Sequence, residues 1–259
     1  MRSVRGLLRS RVALFVAVAI AAVGIAAGLI VVSVVGSGGK KKAVPATVTS
    51  TASTTATSPP TAEGASVAGS AETARLFRGI PQRLNVLGNP KARVTMIEFA
   101  DLQCPFCRGF ALDALPAIVR EYVRPGKVKL VFAGIAFIGP DSETALRATY
   151  AAGLQSRLWN YLDLLYRNQG PENSGWVTDG LLRAVGSSIS GLDVDAMLAA
   201  RQTAEVDNAL VATNQQATSA HVNETPTFFA GRTGATLQRI TVSELRPQAF
   251  RPTLDALLK

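Results

Sequence analysis

The chain has 259 residues, two cysteines, one histidine and a formal net charge of +9. Two cysteines and one histidine are too few for a zinc site built from four Cys or His ligands. The charge is unevenly spread: residues 1–74 hold seven Lys or Arg and two acids, whereas residues 75–259 hold twenty and sixteen. Since most of the excess lies near the N-terminus and no basic cluster is interleaved with aromatic residues, no nucleic-acid partner is expected.

An uncharged segment near the N-terminus lies between four arginines and three lysines. Its densest apolar part, residues 12–35, would be about 36 Å long as a helix, which is enough to cross a hydrocarbon core of about 30 Å. A cleaved signal peptide usually has an apolar core of only about 7 to 15 residues. We therefore predict a cytoplasmic N-terminus at residues 1–11 and a transmembrane signal anchor at residues 12–35, with cleavage as the open alternative.

The next segment has the composition of a linker. Residues 43–70 contain seven Thr, seven Ala, five Ser, three Pro and one charged residue, Glu63. Such a segment has almost no large apolar side chains from which to build a core. We predict a disordered tether over residues 36–74 and one folded domain over residues 75–259, which is an ordinary size for a single domain.

The domain begins with a strand, a helix and a second strand. The apolar run 94–100 predicts a buried strand, and apolar residues at helical spacing over 112–122 predict a helix that ends before Pro125. Residues 127–133 alternate between charged and apolar side chains, which is typical of a half-buried strand. A short connection of this kind predicts a parallel strand pair with a right-handed crossover.

Both cysteines lie in the turn between the first strand and the helix. Cys104 falls at the helix start, where unpaired backbone N–H groups and the helix dipole favour a thiolate, so it is the expected nucleophile. Pro105 suits the first helical turn because its missing N–H has no partner there. Cys107 lies on the same helical face and can reach Cys104. The spacing indicates a reversible dithiol/disulfide pair; as a structural staple, a loop of four residues would contribute only roughly 2 kcal/mol.

The rest of the domain is a helical block followed by a hairpin and a helix. Residues 142–219 lack strand patterning, and their apolar spacing predicts helices over 145–156, 159–168, 177–185 and 194–218. Asp193 is an expected N-cap, as is Asp141 or Ser142. Residues 227–230 and 235–241 predict a hairpin, and a last helix is expected after Ser243.

Two motifs resemble those of a known family. They are Glu98-Phe99-Ala100-Asp101-Leu102-Gln103 leading into Cys104-Pro105-Phe106-Cys107, and Thr225-Pro226-Thr227-Phe228-Phe229. Together they resemble the DsbA-like branch of the thioredoxin superfamily, specifically its membrane-anchored bacterial group. The resemblance covers roughly residues 80–258 and implies an α/β, thioredoxin-like fold in which residues 142–219 are a helical insertion.

The second motif implies a cis-proline beside the cysteines. By the resemblance, Pro226 is that proline, and it holds the backbone of Thr225 where a client segment can pair with it. Glu224 precedes these residues, and its negative charge close to Cys104 would oppose a thiolate there.

The first motif implies further site residues. Glu98 corresponds to the buried acid of thioredoxin-like proteins, whose raised pKa would let it move protons to or from Cys107. On alternation alone, a solvent-facing strand glutamate remains open. Pro105 and Phe106, between the cysteines, are expected with Thr225 to contact substrate.

The resemblance implies an extracytoplasmic thiol-disulfide oxidoreductase, most directly an oxidase that donates the Cys104–Cys107 disulfide to secreted or cell-envelope proteins. A membrane reoxidase of the DsbB or vitamin K epoxide reductase type is the expected partner, and no metal or organic cofactor is expected. A reductase or isomerase using the same residues remains open because direction depends on reduction potential. A non-catalytic redox sensor or chaperone-like binding module also remains open.

Overall fold

A computed structural model describes residues 66–259. The strands are β1 Gln82–Arg83, β2 Val86–Leu87, β3 Val94–Ala100, β4 Val128–Gly134, β5 Thr227–Arg232 and β6 Gln238–Ile240. The helices are α1 Ser70–Phe77, α2 Pro105–Gly109, α3 Leu115–Ile118, α4 Pro140–Leu154, α5 Leu158–Arg167, α6 Asp179–Ser187, α7 Val194–Ala200, α8 Ala204–Ser219 and α9 Pro247–Leu258. From β3 onward, the order of elements is a thioredoxin-like βαβ unit, a helical insertion and a ββα unit, as predicted.

The strands form one sheet in the order β1-β2-β4-β3-β5-β6. The predicted parallel pair is confirmed, since Val94 to Ala100 of β3 align with Val128 to Gly134 of β4. On its other side β3 pairs with β5 in antiparallel fashion. All seven residues of β3 are buried. The strand that leads to the cysteines is therefore held on both edges and covered on both faces.

A single helical run, residues 105–123, follows the cysteine turn. It alternates α2 and α3 with two wider π-helical segments, Phe110–Ala114 and Val119–Val123. Leu115 N–H donates to the carbonyl of Phe110, five residues back, at the junction just before Pro116. Because Pro116 has no N–H for the carbonyl of the preceding turn, the helix widens there.

The helical insertion comprises α4 to α8. The predicted N-cap Asp193 accepts a hydrogen bond from Ala196 N at 3.0 Å. Helix α4, however, begins at Pro140 and is preceded by Gly139, not by Asp141 or Ser142. The helix predicted over 194–218 is interrupted between α7 and α8. This interruption turns the chain so that Met197 and Val206 are both fully buried.

Three phenylalanines join the helical run, the sheet and the last helix. Phe110 lies 4.7 Å from Phe228 and 5.3 Å from Phe250, and the last two rings are 5.0 Å apart. All three side chains are almost fully buried. Helix α9 begins at Pro247, whose fixed backbone angle suits the first turn, and not directly after Ser243.

Two features were not predicted. Helix α1 begins at Ser70, so residues 70–74, which the sequence assigns to the tether, are helical. This segment is held to the domain because Thr73 is buried and donates a hydrogen bond to Asp163. The short hairpin β1–β2 extends the sheet beyond β4.

The predicted anchor, residues 12–35, lies outside the described residues. Within residues 66–259, none of the helices combines the length and the apolar character of a membrane span.

Candidate active site

The cysteines lie at the end of β3, as predicted from the sequence. Asp101 to Gln103 make the turn, Cys104 is the N-cap residue of α2, and Pro105 is in its first turn. Cys104 N–H donates to the Asp101 carbonyl at 3.1 Å, and Arg108 N–H donates to the Cys104 carbonyl at 3.1 Å. Both cysteines are buried thiols in this structure. The turn thus places Cys104 at the start of α2, the helix that follows β3.

The environment of Cys104 favours its thiolate. Its pKa is lowered from an ordinary 9.0 to about 6, first by a hydrogen bond from the Cys107 thiol and further by the Thr225 side chain and the N–H groups of Cys107 and Phe106. Burial opposes these donors by disfavouring the charge. In the thiol form, Cys104 Sγ donates to the Thr225 carbonyl at 3.4 Å. Cys104 is therefore mostly ionised at neutral pH.

Cys107 is tuned in the opposite direction. Its pKa is raised well above the ordinary thiol value, chiefly by burial and then by its hydrogen bond to Cys104 and the negative charges of Glu98 and Cys104. The two thiols of one motif therefore have different protonation states at neutral pH. A nucleophilic thiolate lies beside a protonated thiol that needs a base before it can react.

Glu98 is the candidate for that base. The residue is only 4% exposed, which excludes the solvent-facing alternative. Its Oε1 atom has no hydrogen-bond partner among the described residues. Burial raises its pKa, and negative charge on Cys104 raises it further. Phe132 and Phe228 are its register partners on β4 and β5, so the carboxyl lies in an apolar part of the sheet.

The Thr225–Pro226 segment faces the cysteines. Its peptide bond is cis, as the resemblance implies. Both residues are half-buried and directly precede β5, which pairs with β3 from Thr227 onward. On the cysteine side, Pro105 is exposed and Phe106 is 67% exposed. The expected site residues are therefore brought together, with the two between the cysteines on the outer surface.

The concern about Glu224 is answered by a residue that the sequence did not single out. Arg239 on β6 lies 2.8 Å from the Glu224 carboxylate and 3.3 Å from Thr227 Oγ1. This cation offsets the negative charge near the cysteine turn. Because Glu224 lies in the loop before β5 and Arg239 lies on β6, only the register of the β5–β6 hairpin could have predicted this contact.

The structure also shows a buried polar cluster at the turn that the motifs did not reveal. It contains Asp101, Gln103, Ser142 and Tyr166, all of which are buried. The signal available in the sequence was a carboxylate placed directly after a strand predicted to be buried. Among residues 66–259, no group of three or more His, Cys, Asp or Glu side chains is arranged to hold a metal ion.

The sheet, the insertion, the two-cysteine helix start and the cis-proline define a thioredoxin-fold protein of the DsbA-like kind. The family described as Thioredoxin matches residues 82–246. As this is more than half of the chain, the protein belongs to the thioredoxin family.

Similar proteins carry names that refer to disulfide formation. The chain is 37% identical over 101 residues to a probable disulfide bond formation protein D of Bacillus cereus, covering 38% of this chain and 47% of that protein. It is 31% identical over 114 residues to disulfide bond formation protein D of Bacillus subtilis, covering 43% of this chain and 51% of that protein. The matches thus span about half the length of these curated relatives.

A solved structure shares the fold over a longer range. The crystal structure of oxidised BdbD from Bacillus subtilis has a TM-score of 0.59 and 22% identity, covering 69% of this chain and 97% of that chain. At this identity the likeness concerns the fold, including the helical insertion.

Proposed function

We propose that this protein is a thiol-disulfide oxidoreductase, acting as an oxidase that donates the Cys104–Cys107 disulfide to secreted or cell-envelope proteins. The single observation that carries this proposal is the opposite tuning of the two thiols. With a pKa of about 6 for Cys104, roughly nine-tenths of this thiol is ionised at pH 7. A stable thiolate is a good leaving group, which favours passing the disulfide to a client.

The reaction has two exchange steps. A client thiolate attacks Cys104 Sγ of the disulfide, the Cys104–Cys107 bond breaks, and Cys107 leaves with the electron pair and takes up a proton. A second client thiolate then attacks the client sulfur of the mixed disulfide, which releases Cys104 as a thiolate. The client loses two electrons and gains a disulfide, and the protein gains the same two electrons as a thiolate and a thiol.

The surrounding residues have separate parts in these steps. Glu98, buried close enough to raise the pKa of Cys107, gives the proton to Cys107 in the forward direction and takes it in reverse. The Thr225 backbone next to Pro226 offers a main-chain edge to an extended client segment. Pro105 and Phe106 contact the client from the exposed side of the cysteine turn.

A disulfide reductase or isomerase is the second candidate. A Cys104 pKa of about 6 lies between those of the active thiols of thioredoxin, about 7, and DsbA, about 3.5. The same residues can run the two steps in the opposite order if the reduction potential is low.

The proposed setting rests on the N-terminal sequence. Residues 12–35 act as a single-pass signal anchor with the N-terminus in the cytoplasm, and the catalytic domain works outside the cytoplasm on thiol-containing clients. A membrane reoxidase of the DsbB or vitamin K epoxide reductase type restores the disulfide. Labelling of intact cells with a membrane-impermeant maleimide tests the location, because the reduced Cys104 should be modified without lysis.

Two cysteine variants of the full-length protein test the chemistry. Oxidation of a reduced, unfolded client should proceed with the wild type and stop with Cys104→Ser. Cys107→Ser, incubated with a client that still contains a disulfide, should accumulate a mixed disulfide between Cys104 and the client, visible by non-reducing electrophoresis. The Cys104 thiolate displaces one client sulfur as a thiolate, and no second thiol of the protein is present to release Cys104. If Cys104→Ser oxidised the client as well as the wild type, the proposed chemistry would be wrong. Client binding without any oxidation by the wild type would favour a binding module.

A further inference from the structure

Asp101 connects the reacting thiols to the rest of the fold through its backbone. Its carbonyl accepts hydrogen bonds from Cys104 N–H at 3.1 Å and from the Tyr166 hydroxyl at 3.2 Å. A backbone hydrogen bond from Asp101 also contributes to the environment of the Cys107 sulfur. Both cysteines therefore depend on where the main chain of Asp101 lies.

The Asp101 carboxylate is fully buried and accepts four hydrogen bonds. Oδ1 accepts from Gln103 N at 2.8 Å and from Ser142 Oγ at 2.6 Å. Oδ2 accepts from Phe137 N at 2.8 Å and from Ile138 N at 2.9 Å. The donors come from three segments: the cysteine turn, the loop after β4 and the first turn of α4. None of the ion pairs among residues 66–259 includes Asp101, so neutral donors alone stabilise it.

A second layer of amides surrounds this carboxylate. Gln103 Nε2 donates to Ser142 Oγ at 2.9 Å, and Gln103 Oε1 accepts from Asn173 N at 2.6 Å. Asn173 Nδ2 in turn donates to the Ile138 carbonyl at 3.1 Å. The loop between α5 and α6 is thereby joined to the same site. A carboxylate suits the centre of this network, since it offers two acceptor atoms and no donor.

We propose that Asp101 is a positioning residue, which holds the cysteine turn against the helical insertion and so keeps the donors around Cys104 aligned. The inference rests on the proposed function, because it concerns the thiol that reacts there. In the variant Asp101→Asn, one oxygen becomes an NH2 group that must face donors on either side. At least one pair of donors then loses its acceptor, and the turn shifts.

The direction of the effect on the Cys104 pKa separates this positioning role from a purely electrostatic one. If the hydrogen-bond donors around Cys104 lose their alignment, the pKa of Cys104 should rise. Its thiolate depends on a hydrogen bond from the Cys107 side chain and on the N–H groups of Cys107 and Phe106. Four groups together lower that pKa from 9.0 to about 6 against the opposing effect of burial. Weakening one or two of them should move the titration midpoint up by about one pH unit. If Asp101 acted only through its negative charge, its removal would move the midpoint down.

The experiment is the pH profile of Cys104 alkylation by iodoacetamide in the reduced, full-length protein, read by mass spectrometry of the modified peptide. The matched control is Asp141→Asn, which also removes one carboxylate; Asp141 accepts one hydrogen bond, from Gly175 N at 2.9 Å. We expect the wild type and the control to share a midpoint and Asp101→Asn to lie about one pH unit higher. An unchanged or lowered midpoint in a folded Asp101→Asn protein would overturn the inference.

A milder variant covers the case in which Asp101→Asn does not fold. Ser142→Ala removes one of the four donors and should raise the midpoint in the same direction by less. A folded Ser142→Ala protein with a midpoint at or below that of the wild type contradicts the proposal. A wild-type midpoint near 9 would instead refute the thiolate on which the proposed function depends, so the two failures are distinguishable.

Discussion

The largest single contribution to the Cys104 thiolate is the hydrogen bond from Cys107, and this can be tested with two substitutions at one position. Cys107→Ala removes the donor, whereas Cys107→Ser replaces the thiol with a hydroxyl that can still donate. Both variants leave Cys104 as the only cysteine of the chain. The comparison therefore isolates the donor from the loss of the second thiol.

The structure sets the size of the effect. Four donating groups lower the pKa of Cys104 from 9.0 to about 6, and the Cys107 side chain is the first of them. A hydrogen bond to a charged group contributes about 1.5 to 3 kcal/mol, and one pH unit corresponds to about 1.4 kcal/mol. Cys107→Ala should therefore raise the Cys104 midpoint by about one to two pH units, while Cys107→Ser should keep it near the wild-type value.

The assay is thiolate absorbance at 240 nm followed from pH 4 to 10, with the rate of iodoacetamide alkylation as a second readout. At pH 6, alanine at this position should slow alkylation by roughly five-fold or more relative to serine, because the thiolate fraction falls from about a half to below a tenth. Equal midpoints near 6 in both variants would refute the reasoning. The Cys104 thiolate would then depend on backbone N–H groups and not on the side chain of Cys107.

Three further results are expected. Burial raises the pKa of the Glu98 carboxyl in the folded protein, so the free energy of unfolding of the wild type should fall as the pH rises above the unfolded-state pKa of about 4.3. Glu98→Gln should remove this pH dependence. Guanidinium unfolding at pH 4 and 8 checks this, with exposed Glu172→Gln as the control; parallel pH profiles of Glu98→Gln and wild type would contradict it. The reduction potential of the cysteine pair should fall by about 59 mV per pH unit below the Cys104 midpoint of about 6 and by about 30 mV per pH unit above it. The slope halves because the reduced protein binds one proton fewer once Cys104 is ionised. A single slope through pH 6 in glutathione titrations would argue against the thiolate. Phe250→Ala should lower the free energy of unfolding by about 3 to 5 kcal/mol because the ring is fully buried, whereas Phe106→Ala at the exposed position should change it by less than about 0.5 kcal/mol; equal effects would mean that the packing of α9 is wrongly described.

The elements next to the cysteines could be predicted because their signals are local. The apolar run that became β3, the helix start at Pro105 and the strand before Gly134 are each marked by composition or by proline and glycine. The burial of Glu98 and the cis peptide before Pro226 required the resemblance, since alternation and base rates alone favour neither.

Other features depend on contacts between distant parts of the chain. The break between α7 and α8 contains neither glycine nor proline, so periodicity alone predicts one long helix. Helix α1 begins inside the segment assigned to the tether and is stabilised where Thr73 reaches Asp163, 90 positions later. The Asp101 carboxylate finds Ser142 41 positions away. No local pattern encodes these partners, because the pairing exists only after the sheet and the insertion have packed.

The direct test of the proposed function is the equilibrium reduction potential of Cys104–Cys107 in the full-length protein, titrated in glutathione buffers at pH 7. A value near or above about −180 mV, in the range of protein disulfide isomerase and DsbA, is the predicted result for a disulfide donor. A value near about −270 mV, as in thioredoxin, would contradict the oxidase assignment and favour the reductase.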